Sequence, residues 1–451
     1  MMWASMRFTL RNDSNNEQIP GHGLREVRFL LLAGLLLCLH PFSAAAQVSY
    51  VARFSMEKKS YLLGEPIFCT FSIQNTGLLP FAFSFRNPTR ILNPELEGEP
   101  RFSVIDTAGH RLADPAPRSC GGAKGTAVYG SVTLPPGQIH SERWLINQWA
   151  RFRRPGHYRV RADRRLPLLG LNAAKGEFTG PPVAYASATN EIAFEVTAAT
   201  EEGLRAAYEP YQKALEKPGT AGFPEAVLAV TALPQPYLLA RLVTLAGASS
   251  SERRWSREQA LEGLARLGTP AAWDAILRIA RRKGETRSVA SKPVEAAQDE
   301  AFRAYAILLL AEKGDPAFLS PILSILDSAP ETLRGEIVRM LGFFRSPRAN
   351  QVLFERLHSP VIIDRVNAIL GLRNLEIKDA IPAIIAMLND PEAQVRQVAH
   401  FALRSLTGQP FTLSSTATPS ESKRAEEQWR AWWGKNGATF SVRRQPPCRD
   451  W

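Results

Sequence analysis

Arg303, Arg334, Arg365 and Arg396 recur at a constant spacing of 31 residues. Leucines keep the same step at Leu310, Leu341, Leu372 and Leu403, and again at Leu326, Leu357 and Leu388. A fixed period of this size marks stacked supersecondary units. One unit cannot bury its apolar face alone, so neighbours stack into a solenoid whose long surface suits a partner. Within the period, Ile362 to Leu372 carries helical apolar spacing, Glu376 to Asp379 breaks it, and Ala380 to Leu388 restarts it. Pro382 is tolerated in the first turn of that second helix. The earlier copies pair Glu331–Leu341 with Asn350–Leu357, and Asp299–Leu310 with Ala317–Leu326. A further copy aligns Arg257 on Arg303 and Leu264 on Leu310 at an offset of 46, against 31 elsewhere. The difference predicts an insertion, read as a polar surface loop over Lys283 to Ala297.

The run Leu388-Asn389-Asp390-Pro391-Glu392-Ala393-Gln394-Val395-Arg396 carries a resemblance. It is similar to HEAT repeats of the short, lyase-like bacterial kind, and the likeness extends over roughly residues 223 to 408. The resemblance implies an α-solenoid of helical pairs. It also implies that an Asp and an Arg six residues apart, here Asp390 and Arg396, tie adjacent units together. Arg257, Arg303, Arg334 and Arg365 take the same stacking role. Ser328, Ser359 and Ala297 stand where the earlier copies would need the Asp, so the ladder is expected to be weaker there. The family includes chromophore lyases, and no constellation in this chain would carry that chemistry.

The N-terminal part predicts a compartment. Phe29 to Leu39 is an unbroken apolar run, preceded by Arg25 and Arg28 and followed by Pro41 and Ser43-Ala44-Ala45-Ala46-Gln47. That order reads as a secretory signal peptide cleaved between Ala46 and Gln47, too short to span a bilayer. Residues 1 to 46 hold four Arg against three acids, so the chain beyond keeps +11 of its formal +12. The expectation is an exported, periplasmic or extracellular protein without stable membrane insertion after cleavage. In that setting Cys69 and Cys120 are the expected disulfide, leaving Cys448 over.

Between the signal and the repeats, short runs of period two replace helical spacing. Ile67 to Ile73, Phe81 to Phe85, Arg101 to Asp106, Val128 to Leu134, Tyr158 to Ala162 and Glu191 to Val196 alternate between Gly- and Pro-rich turns. They predict an antiparallel β-sandwich. Tyr61-Leu62-Leu63-Gly64-Glu65-Pro66 and Pro155-Gly156-His157-Tyr158 look like the turns of immunoglobulin-like modules. The expected division is 1–46, a sandwich over 47–200, a solenoid over 201–410, and a linker with a capping helix over 411–451. In that helix Trp429, Trp432 and Trp433 share a face that would cover the last open unit. The two folded regions are expected to unfold independently.

Candidate chemistry is sparse. Arg151, Arg153, Arg154, Arg159, Arg161, Arg164 and Arg165 form an arginine cluster opposed by Asp163. It reads either as an anion-binding patch for an envelope polymer or as a solvated edge strand. Nucleic acid is not expected, because stacking aromatics are not interleaved there. His110, His140, His157, His358 and His400 show no His-Glu-x-x-His spacing, and Gly121 to Thr126 lacks phosphate-loop spacing. No catalytic, cofactor or metal site is expected. A non-enzymatic scaffold binding an unknown protein leads; an inhibitor-like or anionic-polymer module acting through the sandwich is second, and a lyase-like enzyme third.

Overall fold

The computed structural model describes residues 48–86, 98–115, 129–172, 177–178, 180–248, 254–282 and 293–442. Ten strands come first: β1 (Tyr50–Met56), β2 (Ser60–Leu62), β3 (Phe68–Asn75), β4 (Phe81–Arg86), β5 (Arg101–Asp106), β6 (Tyr129–Leu134), β7 (Ile139–Leu145), β8 (Gly156–Asn172), β9 (Glu177–Phe178) and β10 (Ala184–Thr197). One sheet has the order β1-β3-β7. The other runs β2-β10-β8-β4-β6, with β5 and β9 also pairing on β8. All described pairings are antiparallel except β2 with β10. Period-two alternation sends Cys69, Phe71 and Ile73 of β3 inward to meet Val160, Ala162, Leu166 and Leu168 of β8 in one core.

Two strands are longer than their sequence signal. The expected Tyr158–Ala162 and Glu191–Val196 are the middles of β8 and β10, which pair from Val196 opposite Gly156 to Ala184 opposite Leu168. The arginines of β8 disguise its alternation, because one inward position, Arg164, is charged.

The helices begin at Glu201 with α1 (Glu201–Leu215), capped by the Thr200 side chain accepting from the Gly203 N–H. Then come α2 (Gly222–Ala232), α3 (Leu239–Ala246), α4 (Arg254–Leu267), α5 (Pro270–Arg281), α6 (Pro293–Lys313), α7 (Leu319–Ser328), α8 (Glu331–Met340), α9 (Pro347–Arg356), α10 (Ile362–Leu375), α11 (Ala380–Ala386), α12 (Ala393–Thr407) and α13 (Pro419–Asn436). The expected loop over Lys283–Ala297 is corrected at its end: Pro293 already starts α6, as a proline at a first helical position allows.

Successive first helices, α4, α6, α8, α10 and α12, pack side by side, while the second helices of the pairs stand further apart. Glycine makes the close approach possible. A Cβ on Gly342 would lie 2.1 Å from the Gly371 carbonyl oxygen, and one on Gly371 would lie 2.5 Å from a Leu353 methyl. The layer with the shorter spacing is the inner side of a curved stack. Leu310, Leu341, Leu372 and Leu403 are fully buried in its continuous core.

The two regions are in contact. Phe68 and Leu145, on the outer face of the three-stranded sheet, form a separate buried cluster with Leu228 and Ala229 of α2. The Tyr208 hydroxyl of α1 lies 3.0 Å from the Gly64 carbonyl and 2.7 Å from that of Leu233. Arg143 of β7 reaches Glu225 of α2 at 2.6 Å and Glu57 at 3.0 Å, with its guanidinium over the Phe68 ring. An apolar seam flanked by these polar contacts joins the units, which argues against the expectation of independent unfolding.

Candidate interaction surfaces

The repeat arginines do their work differently from the expected local pair. Asp390 binds not Arg396 but Arg365 of the preceding unit, with both contacts at 2.9 Å in a two-pronged geometry. Arg365 and Arg396 each turn Nη1 back to the carbonyls six and five residues earlier: Ser359 and Pro360, and Asp390 and Pro391. Both arginines thus close their own inter-helix turns, and for Arg365 the Asp390 carboxylate of the next unit completes the contact. Six residues is the distance to a carbonyl, and 25 residues is the distance to the acid. The Asp390 contact raises the Arg365 pKa despite some burial.

Where the Asp is missing, other groups substitute. Asp364, almost wholly buried, takes Arg356 and the Ser359 hydroxyl at 3.1 Å each and lies 3.6 Å from Arg334. Arg257 meets Asp299 at 3.0 Å and lies over the Phe302 ring at 3.9 Å. Arg303 donates to the Ala280 carbonyl at 3.3 Å. All five arginines are engaged in the stack.

The inner layer leaves a stripe uncovered that the period alone did not single out. Leu308, Arg339, Leu370 and Phe401 share one register 31 residues apart. Leu308 is 9% exposed, Arg339 and Leu370 are half-buried, and Phe401 is 55% exposed. Arg373 and Arg404 run beside them, and the Arg373 guanidinium lies 5.4 Å from the centre of the Phe401 ring. Burial, with Arg339 nearby, lowers the Arg373 pKa. Among the described residues neither Arg373 nor Arg404 has a carboxylate partner. Toward α4 and α6, Glu262 is buried, pairs with Arg266 and accepts from the Tyr305 hydroxyl. The signal for this stripe was available as an apolar residue, Phe401, at the same register as a charged one, Arg339.

The far end is closed. Trp429 of α13 is fully buried against Phe411 and His400, and Trp432 and Trp433 pack on Phe440. A reciprocal cap between Thr418 and Glu421 starts this helix. Burial, and secondarily Arg404, lowers the His400 pKa, opposed by a hydrogen bond with the Phe411 backbone.

The arginine cluster divides. Arg159, Arg161 and Arg165 lie on the outer face of β8, and Arg151, Arg153 and Arg154 precede it, exposed. Arg164 points inward and is 3% exposed. It donates to Glu142 at 2.8 Å and to the Gly98 carbonyl at 2.7 Å, with its guanidinium over Phe71. Burial alone would raise the Glu142 carboxyl, but the hydrogen bond with His140 and the Arg164 charge outweigh it and hold it low. A buried charge needs such partners, so Arg164 belongs to the core and not to a patch. The edge-strand reading is also corrected, because β8 lies between β10 and β4. Outside, Arg159 pairs with Glu191 at 2.8 Å, Arg154 lies 3.8 Å from Asp106, and Arg165 stacks on Tyr185. An open groove of about 530 Å³ beside Arg159 is lined by Lys59, Asp106, His157, Phe194 and Glu195. Asp106 is spent holding the backbone N–H groups of Ala108 and His110.

Cys69 is fully buried in β3, where burial pushes its thiol up to about 12. Its expected partner Cys120, Cys448, and the expected cleavage site Ala46–Gln47 lie outside the described residues. Among the described residues no group of three or more His, Cys, Asp or Glu gathers to hold a metal. No described helix is long and apolar enough to cross a membrane.

Comparison with known proteins bears on the helical part. Residues 291–365 match the model for HEAT repeats, and residues 364–390 match the PBS lyase HEAT-like repeat. No curated protein matches the chain. Among solved structures, a designed armadillo repeat protein is 16% identical, with a TM-score of 0.27, over 46% of this chain and 94% of its own. A second designed armadillo repeat protein, in complex with the peptide (KR)4, is 17% identical with a TM-score of 0.27, over 46% of this chain and 93% of its own. The described helical pairs from Pro293 to Asp390 thus match HEAT-repeat models.

Proposed function

We propose that this chain is an exported, non-enzymatic scaffold that binds a protein partner along the inner stripe of its solenoid. The observation that carries the reading is Phe401, a large apolar side chain left 55% exposed with the Arg373 guanidinium beside its ring. Repeated helices present side chains at fixed intervals, which suits an extended segment. Leu370, Phe401, Arg373 and Arg404 together favour a segment carrying apolar and acidic side chains, met by desolvated aromatic and guanidinium groups. In this reading the β region is an immunoglobulin-like sandwich that closes the first end of the stack, and the compartment is periplasmic or extracellular, as the apolar run Phe29 to Leu39 suggests.

The test is site-specific photo-crosslinking from position 401, compared with a position on the outer face of α9 such as Gln351. A partner captured at 401, absent at 351, and lost in Arg373→Glu supports the reading. Equal capture at both positions, or capture indifferent to Arg373→Glu, sinks it.

A further inference from the structure

A carboxamide taken out of water without hydrogen-bond partners is costly, so buried asparagines are normally engaged. Three asparagines are buried among the described residues: Asn75, Asn147 and Asn367. Asn75 donates to the Leu79 and Leu134 carbonyls at 2.8 and 2.9 Å, and Asn147 accepts from the Ile67 N–H at 2.7 Å. Asn367 of α10 is 5% exposed and has no hydrogen-bond partner among the described residues. Its carboxamide atoms are not sealed, unlike the Asn350 Oδ1 of α9, which is shut in without a partner. The Asn367 side chain is therefore packed along its length and open at its polar end.

The stack gives that opening a direction. Asn367 shares one register with Tyr305, Glu336 and Val398, each three residues before a member of the stripe Leu308, Arg339, Leu370 and Phe401. Residues three apart on a helix share a face, so the amide stands on the inner stripe. The other polar members of its register are occupied: Tyr305 donates to Glu262, and Glu336 accepts from Arg339. A notch in α8 makes room for Asn367. A Cβ on Gly335 would lie 2.8 Å from the Asn367 Nδ2 and 3.3 Å from the Ile363 Cγ1. The amide is lodged beside bare helix backbone, whose own N–H and C=O groups are committed within α8.

A carboxamide offers N–H donors and a carbonyl acceptor side by side. Its complement is a group with an acceptor and a donor on one edge. The main chain of an extended segment presents that edge to whatever lies beside it. A helical segment does not, because its N–H and C=O groups are bonded along its own axis. Leu370, Phe401, Arg373 and Arg404 can meet side chains of either kind of segment, whereas Asn367 distinguishes the two.

We infer that Asn367 grips the main chain of the partner segment and holds it extended across the stripe, while its apolar and acidic side chains meet Leu370, Phe401, Arg373 and Arg404. The inference rests on the stripe being the binding surface, and adds to it the conformation of the occupant and the residue that selects it. Asn367 is thus a specificity-determining contact, and Gly335 keeps the space it needs.

Fluorescence anisotropy with a labelled peptide of four Leu-Asp repeats and the chain from Gln47 to Trp451 tests the inference. Asn367→Leu keeps the branching at Cγ and removes the polar end, so it should melt no lower than the wild type and bind the peptide about tenfold more weakly. A peptide with the same side chains and ester links in place of amides loses its N–H donors. It should bind the wild type more weakly than the amide peptide does, and Asn367→Leu should not tell the two apart. Wild-type affinity in Asn367→Leu, with binding lost in Arg373→Glu, overturns the inference and leaves the stripe reading standing. An ester penalty undiminished in Asn367→Leu overturns it as well. No binding to the wild type, or binding indifferent to Arg373→Glu, removes both readings. Tighter binding of a helix-stapled peptide of the same composition, unaffected by Asn367→Leu, would overturn the extended occupant and assign the stripe to a helix.

Discussion

Phe68→Ala should uncouple the two halves of the molecule. Phe68 is 3% exposed although it points away from the core of its own sheet. Leu145, Leu228 and Ala229 surround it, the Tyr211 ring lies 5.9 Å away, and the Arg143 guanidinium lies 4.6 Å above it. Removing a buried phenyl costs about 3–5 kcal/mol. The seam is open to water at its margin and can collapse in part, which favours the low end, about 3 kcal/mol. That is roughly a hundredfold in the equilibrium between docked and undocked halves. The loss falls on docking, because the inward residues Cys69, Phe71 and Ile73 are untouched. Hydrogen exchange read by mass spectrometry across a urea series reports strands and helices separately. In the wild type, β3, β7 and α2 should lose protection together. In the variant, the strands and α2 should separate into two transitions. Two separate transitions already present in the wild type would refute the coupling.

Three further outcomes are expected. Gly342→Ala would drive a methyl into the Gly371 carbonyl, so its melting temperature should drop by more than ordinary overpacking of about 1–3 kcal/mol causes; a wild-type melt would refute the close approach. Asp390→Ala leaves the Arg365 guanidinium without its acid and should cost about 3–5 kcal/mol in urea unfolding, with Asp390→Asn recovering part by keeping the hydrogen bond from the Glu392 N–H; an Asp390→Ala midpoint equal to that of the wild type would refute the role of the pair. His400 is held neutral by burial, so the unfolded chain binds its proton more readily, and stability should be fully present above about pH 6.5 and decline below it. The urea midpoint of His400→Gln should lose that dependence, and an unchanged pH profile would show that His400 does not carry it.

The repeats were legible because stacking forces equivalent residues to recur: Arg303, Arg334, Arg365 and Arg396 meet the same kind of neighbour one unit later. What those arginines touch was not legible. The Asp390–Arg396 spacing suggests a local pair, while the carboxylate is claimed by a residue 25 positions earlier in another helix. Arg164 was misread for the same reason. Its partner Glu142 lies on the opposite sheet, and only the packing of two sheets brings them within 2.8 Å. Strands β1 and β7 escaped notice because Arg53, His140, Glu142 and Arg143 interrupt their apolar alternation. Phe68 looked like one more residue of a strand until α2 supplied the surface it packs on.

The closed ends of the helical stack fix its length. The sheet face covers α2 at one end and the Trp429 helix seals α12 at the other, so neither end presents an open unit on which another copy could continue the array. A stack of this kind is a ruler with two stops. Excising 31 residues from one first helix to the next, for example from Arg334 to Asp364, removes one pair of helices without disturbing either stop. The two ends would then sit closer by about one helix-packing distance, roughly 8–10 Å. Variation in the number of internal pairs would reset how far apart the sheet and the sealing helix hold whatever binds to them.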